Sequence, residues 1–238
     1  MKKLVAFSSL FLLNYTLIAQ KFVPAFDTFS HRKIAYVTLS NGTEITGKIR
    51  KIKRKKGGLK KIKVKEESGK TKFKAKDVAH MYLPAHIFDR IEKAVDAAFD
   101  VTTYDRLDLN MKIIDDGYGY FETTPAFKKE NKKKRDLMMQ LVNPHTSGEI
   151  KIYDDPFAKN TMKMGIGYGL SIGGLEKSYY VKKGDKTAVR VKKATFQKEY
   201  SKLFGDCPEL MERKVDVWSK FDETVKVYND FKRSNGVN

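Results

Sequence analysis

Apolar and polar positions first settle into alternation at residues 34–40, where Ala35, Val37 and Leu39 interleave with Ile34, Tyr36, Thr38 and Ser40. A period of two predicts a β-strand with two distinct faces. Asn41-Gly42 follows and predicts a two-residue hairpin turn, because both residues accept positive φ. A return strand from Thr43 carries Ile45, Gly47 and Ile49, Gly57-Gly58 and Ser68-Gly69 mark two more turns, and Phe73 and residues 78–83 supply later strand material. Residues 34–83 therefore read as a small antiparallel meander or barrel.

Beyond Pro84 the period changes. Ile87, Ile91, Ala94, Val95 and Ala98 recur at three- and four-residue steps, which predicts an amphipathic linking helix over 85–99. Strand-like alternation returns at 109–113, 148–153, 164–172 and 178–191, with Gly184-Asp185 turning the last stretch into a hairpin. Within 164–172, Gly165, Gly167 and Gly169 share one face, a pattern that permits close approach of another backbone. Thr195 is placed to cap a helix with Phe196, Tyr200, Leu203 and Phe204 on one side and Gly205 at its end. Asp206, Pro208 and Glu209 signal a second start, and Phe221, Val225, Tyr228 and Phe231 mark a third helix over 219–232. The expected fold class is α+β: a small N-terminal β domain at 30–84, the linking helix at 85–99, and a second antiparallel β region with C-terminal docking helices at 107–234.

The first twenty residues stand apart from this pattern. Lys2 and Lys3 precede an apolar run from residue 4 to 19, the order of a secretory signal, and the run is shorter than the roughly 18 residues a spanning helix needs. Residues 1–20 are expected to be a cleaved signal peptide, leaving a periplasmic or secreted product with no transmembrane segment. Apolar residues make up 41% of the chain, enough for a packed core, so the formal charge of +19 is a surface property. Cys207 is the single cysteine, which excludes an intramolecular disulfide and reads as a small buried residue ahead of a helix.

Charge is concentrated in one hairpin. Lys48, Arg50, Lys51, Lys53, Arg54, Lys55, Lys56, Lys60, Lys61, Lys63 and Lys65 supply eleven cations in eighteen residues with no acid among them. Extending the window to Lys76 gives fifteen cations against Glu66 and Glu67, a net +13. Ile49, Ile52, Leu59, Ile62 and Val64 are interspersed, so the segment can bury one face while these eleven anion-contact candidates point outward. The partners this predicts are an anionic envelope polymer or lipid headgroups. Specific nucleic-acid binding is not expected, since Phe73 is the one aromatic in the window and base stacking needs several.

Catalytic chemistry finds weaker support. The glycines at 165, 167, 169, 173 and 174 do not match GxGxxG, because Leu170 stands where the third glycine belongs, and no phosphate-loop Lys-Ser/Thr pair follows. His31, His80, His86 and His145 are scattered, and only His80 and His86 are near one another. Asp115-Asp116 and Asp154-Asp155 precede Gly or Pro and read first as turn chemistry. No catalytic residue, metal site or cofactor is assigned. The expected function is a non-enzymatic binding or structural module, with an envelope hydrolase built from the acidic turns and histidines as the alternative.

Two segments carry a family likeness. Residues 35–49, AYVTLSNGTEITGKI, and residues 179–210, YYVKKGDKTAVRVKKATFQKEYSKLFGDCPEL, resemble exported, uncharacterised proteins of Bacteroidetes bacteria. The resemblance implies an envelope or secreted location and no particular activity. This sequence departs from the usual pattern in its density of lysine between 48 and 65.

Overall fold

The computed structural model describes residues 22–86, 109–127, 133–158, 175, 177–213 and 216–236. The alternation at 34–40 becomes β1 (Ile34–Leu39), with Ala35 and Val37 buried and Ile34 and Tyr36 exposed. It lies at the centre of a seven-stranded antiparallel sheet in the order β4-β3-β2-β1-β5-β6-β7. It pairs with β2 (Glu44–Lys55) and β5 (Val78–Pro84), and the other strands of the sheet are β3 (Gly58–Lys65), β4 (Lys70–Lys74), β6 (Tyr118–Phe127) and β7 (Lys134–Gln140). A second, three-stranded antiparallel sheet holds β8 (Ile150–Asp154), β9 (Ser178–Lys183) and β10 (Val189–Lys192). Among the described residues the helices are α1 (Met111–Asp115), α2 (Phe196–Phe204), α3 (Pro208–Arg213) and α4 (Phe221–Ser234). This is the expected α+β class.

Local details differ from the sequence reading in instructive ways. The first hairpin loop spans three residues, Ser40 to Gly42: Leu39 N–H donates to Thr43 O at 2.8 Å, and of the two turn residues only Gly42 has positive φ, at 85°. Asn41 instead accepts from Thr43 N–H through Oδ1 at 3.1 Å. The second turn falls at Lys56-Gly57 rather than Gly57-Gly58, with φ of 52° and 86°, since Lys55 pairs with Gly58. Residues 109–113 are not a strand. Asn110 accepts from Ile113 N–H at 3.2 Å and caps α1, a five-residue helix too short to display its own period. Thr195 starts α2 as expected, but its hydroxyl turns back to Lys192 O instead of capping the helix.

Strands on both sides of residues 87–108 share one sheet, because β6 pairs with β5 over Tyr118 to Glu122. The helix expected over 85–99 lies outside the described residues except for Ala85, which bridges to Phe29, and His86, whose N–H reaches Thr28 O. The expected signal peptide at 1–20 and the glycine-faced strand at 164–172 also lie outside the described residues.

Packing is in three layers. The seven-stranded sheet curls into a half-barrel, bringing β3 near β7, and encloses Val37, Ile49, Ile62, Met81, Leu83 and Phe121 with Phe26 and Phe29 from the N-terminal segment. Its other face, over β5 to β7, meets α1 and the second sheet through Tyr82, Tyr120, Met139, Tyr153 and Tyr180. The second sheet is covered on its far side by the C-terminal helices, where Ile152, Tyr179 and Val181 meet Phe196, Phe204, Phe221 and Tyr228. Burial of both faces explains the consecutive large side chains Tyr179, Tyr180 and Val181 in β9, with Tyr179 and Val181 toward the helices and Tyr180 toward the larger sheet.

Candidate anion-contact surface

The lysines of the basic hairpin are arranged by strand register. On β2, Lys48, Lys51 and Lys53 are the Cα partners of Lys65, Lys63 and Lys61 on β3. Those three in turn pair with Lys70, Lys72 and Lys74 on β4. Paired residues share a face, so nine lysines form a three-by-three lattice on the outside of the half-barrel, with Ile49, Ile52, Ile62, Val64 and Phe73 between them on the inside. Neighbouring lysines stand about 4.8 Å apart across the strands, in rows, and about 6.8 Å apart along them, in columns.

Two β-bulges make the alignment. Arg50 on β2 and Lys60 on β3 are left without a ladder partner, and each inserted residue shifts the pairing by one. The first shift lets Lys48 and Lys51, three residues apart in sequence, both face outward, and the second restores the register beyond Lys60. Bulges also bend and twist their strands, which contributes to the curl.

Not every cation named from the sequence joins the lattice. Arg54 lies on the inner face, where it contacts the Phe29 ring, pairs with Asp27 at 3.2 Å and donates to Gly57 O at 3.0 Å. Lys55 and Lys56 are exposed at the hairpin tip, and Arg50 and Lys60 occupy the bulges. Lys70, Lys72 and Lys74 complete the third column, although their strand lies beyond the densest stretch of charge. Their own period of two was the available signal.

Lysines opposite lysines repel. The Lys61 ammonium is held below the ordinary lysine value, first by Lys72 and then by partial desolvation and by Lys60, Lys53 and Lys74. Among the described residues none of the nine lattice lysines makes an ion pair. Below the lattice, a cleft of about 300 Å³ opens where the sheet edges approach, walled by Lys60, Lys61, Lys74 and Lys76 on one side and Asp136 and Leu137 on the other.

The acidic turns and histidines go elsewhere, and the cleft lining includes none of Asp115, Asp154 or His80. Asp155 is buried and fully engaged, accepting from Ser178 Oγ at 2.7 Å, Phe157 N–H at 2.9 Å and Arg190 Nε. Asp115 stands 3.7 Å from His145 Nε2. Burial lowers the affinity of His145 for a proton against the pull of Asp115, and partial desolvation raises the Asp115 carboxyl. His80 packs 5.8 Å from the Tyr120 ring and 6.3 Å from that of Tyr82. His31 Nδ1 meets Ile49 O at 2.7 Å. Comparison with family models, with curated proteins and with solved structures gives no match for this chain.

Proposed function

We propose that this chain is an exported, non-enzymatic binding module of the cell envelope that contacts an anionic surface through its lysine lattice. The observation carrying this reading is where the lattice sits in the sheet. Lysines that only guard a sheet against edge-to-edge pairing belong on the edge strand, here β4. Four of the nine, Lys48 on β2 and Lys61, Lys63 and Lys65 on β3, stand instead between two paired strands, with no free edge to protect. Opposed like charges weaken a sheet, so an anionic partner that neutralises them explains the arrangement where folding stability does not. The signal-like residues 1–20 support export, and a periplasmic or secreted location would put the lattice among anionic envelope components.

Heparin chromatography tests the reading. Replacing the middle row as Lys51→Glu, Lys63→Glu and Lys72→Glu should lower the salt needed for elution. The comparison is a variant with the same change of charge at exposed lysines away from the lattice, Lys112→Glu, Lys192→Glu and Lys198→Glu. Equal elution of the two variants, both folded by circular dichroism, would show that net charge alone matters and would defeat the proposal.

A further inference from the structure

We propose that the anionic surface is a lipid bilayer, and that Ile34 and Tyr36 enter its headgroup layer beside the lysine lattice. This rests on the preceding reading of the lattice and names its partner.

Ile34 and Tyr36 are 42% and 38% exposed, two of the three large hydrophobic residues that stand open to solvent among the described residues. Register places them. Ile34 is the Cα partner of Lys48, and Tyr36 is the partner of Thr46, so both lie on the lattice face, on the strand next to its last column. The Tyr36 ring is held 6.0 Å from that of Tyr118 at 41°. At its Lys48 corner the lattice therefore adjoins a small apolar and aromatic rim on the same outer face. That combination suits a bilayer surface, where lysines reach phosphates while a tyrosine sits with its ring among acyl carbons and its hydroxyl in water.

The shape of the lattice favours a bilayer over a chain-like polyanion. A single-stranded nucleic acid is tracked by a stripe of cations along a groove, with aromatics on which its bases stack. Here the cations spread in two directions over a sheet face, three along each, so a partner presenting anions in two dimensions engages more of them at once. The electrostatic attraction of each lysine near an anionic membrane corresponds to roughly a fivefold gain in partition.

The test is co-flotation of the full chain with vesicles of equimolar phosphatidylglycerol and phosphatidylcholine. Vesicles of phosphatidylcholine alone set the baseline for any uptake through the apolar N-terminus. Binding should exceed that baseline on the anionic vesicles and fall roughly fivefold for each of Lys51→Ala and Lys63→Ala. The double variant Ile34→Ser, Tyr36→Ser should lose roughly tenfold in anionic-vesicle binding yet keep its retention on heparin. In a Tyr36→Trp variant, emission should shift to the blue on adding anionic vesicles, over the constant signal of buried Trp218. Retention on heparin without anionic-vesicle binding would overturn this inference and leave the proposed function standing. Loss of both would remove the two together. Vesicle binding indifferent to Ile34 and Tyr36, or an unshifted emission spectrum of the Tyr36→Trp variant, would also overturn it.

Discussion

Asn229 on α4 offers the sharpest test of how the helical layer is held to the second sheet. Its side chain is 1% exposed and makes three hydrogen bonds: Nδ2 donates to Thr146 O at 2.7 Å and to Ile150 O at 2.8 Å, and Oδ1 accepts from Ile150 N–H at 2.8 Å. Truncation by Asn229→Ala removes all three. Ile150 O keeps a donor in Asn143 Nδ2 at 3.3 Å, but Ile150 N–H and Thr146 O lose these partners at positions 0% and 5% exposed. Leaving a buried polar group unsatisfied costs about 1–3 kcal/mol, so the two together predict a loss of about 4 kcal/mol. A domain is stable by only about 5–15 kcal/mol. With a urea slope of roughly 2–3 kcal/mol per molar, the unfolding midpoint should fall by about 1.5 M. Asn229→Asp should be at least as damaging, because it turns a carboxylate oxygen toward two carbonyls. A midpoint shift below about 0.3 M for Asn229→Ala, with unchanged slope, would refute the claim that this amide staples α4 to β8. So would an Asn229→Leu protein as stable as the parent.

Other consequences can be measured as directly. Gly57 has φ of 86°, and a Cβ there would collide with Pro156 O, whereas a Cβ on Gly58 would meet nothing nearer than 3.8 Å. Gly57→Ala should therefore cost more than about 2 kcal/mol in thermal unfolding and Gly58→Ala far less, and equal effects would contradict the close approach of the hairpin tip to Pro156. Partial burial pushes the Asp206 carboxyl up, but hydrogen bonds from Lys232, Lys183 and Tyr228 outweigh it and hold the group well below the usual carboxylate range. Its stabilisation is thus complete above the unfolded value, about 3.9, and lost as pH falls through the folded one. The side chain is 44% exposed, so screening limits the effect to about 1 kcal/mol. Asp206→Asn should flatten the acid side of the melting temperature against pH, and a curve parallel to the parent would count against the cluster. Cys207 is 0% exposed and free, so its thiol should resist an aromatic disulfide reagent until denaturant is added, and a rapid reaction in native buffer would contradict that burial.

The sequence by itself determined the elements whose cause is local. Period two in β1 and β2, the glycine of the first turn and the apolar stripe of α4 each act over a few residues, and each predicted its element. Even there, short range has a limit: α1 holds five residues, fewer than two turns, and its spacing was read as a strand. The abundance of lysine between 48 and 65 was equally legible, and so was its ability to keep the isoleucines and valine inside.

Only the tertiary structure decided which of those lysines act together. Register depends on pairing between distant residues and on two bulges, at Arg50 and Lys60, that no local periodicity announces. The same pairing recruited Lys70, Lys72 and Lys74, turned Arg54 inward to Asp27 and Phe29, and set Ile34 and Tyr36 beside the cations. It also joined β6 and β7 to β5 across residues 87–108, because hydrogen-bonding edges match in space and not along the chain. Sequence specified a basic, two-faced hairpin, and long-range strand pairing made of it a two-dimensional array of charge with an aromatic rim.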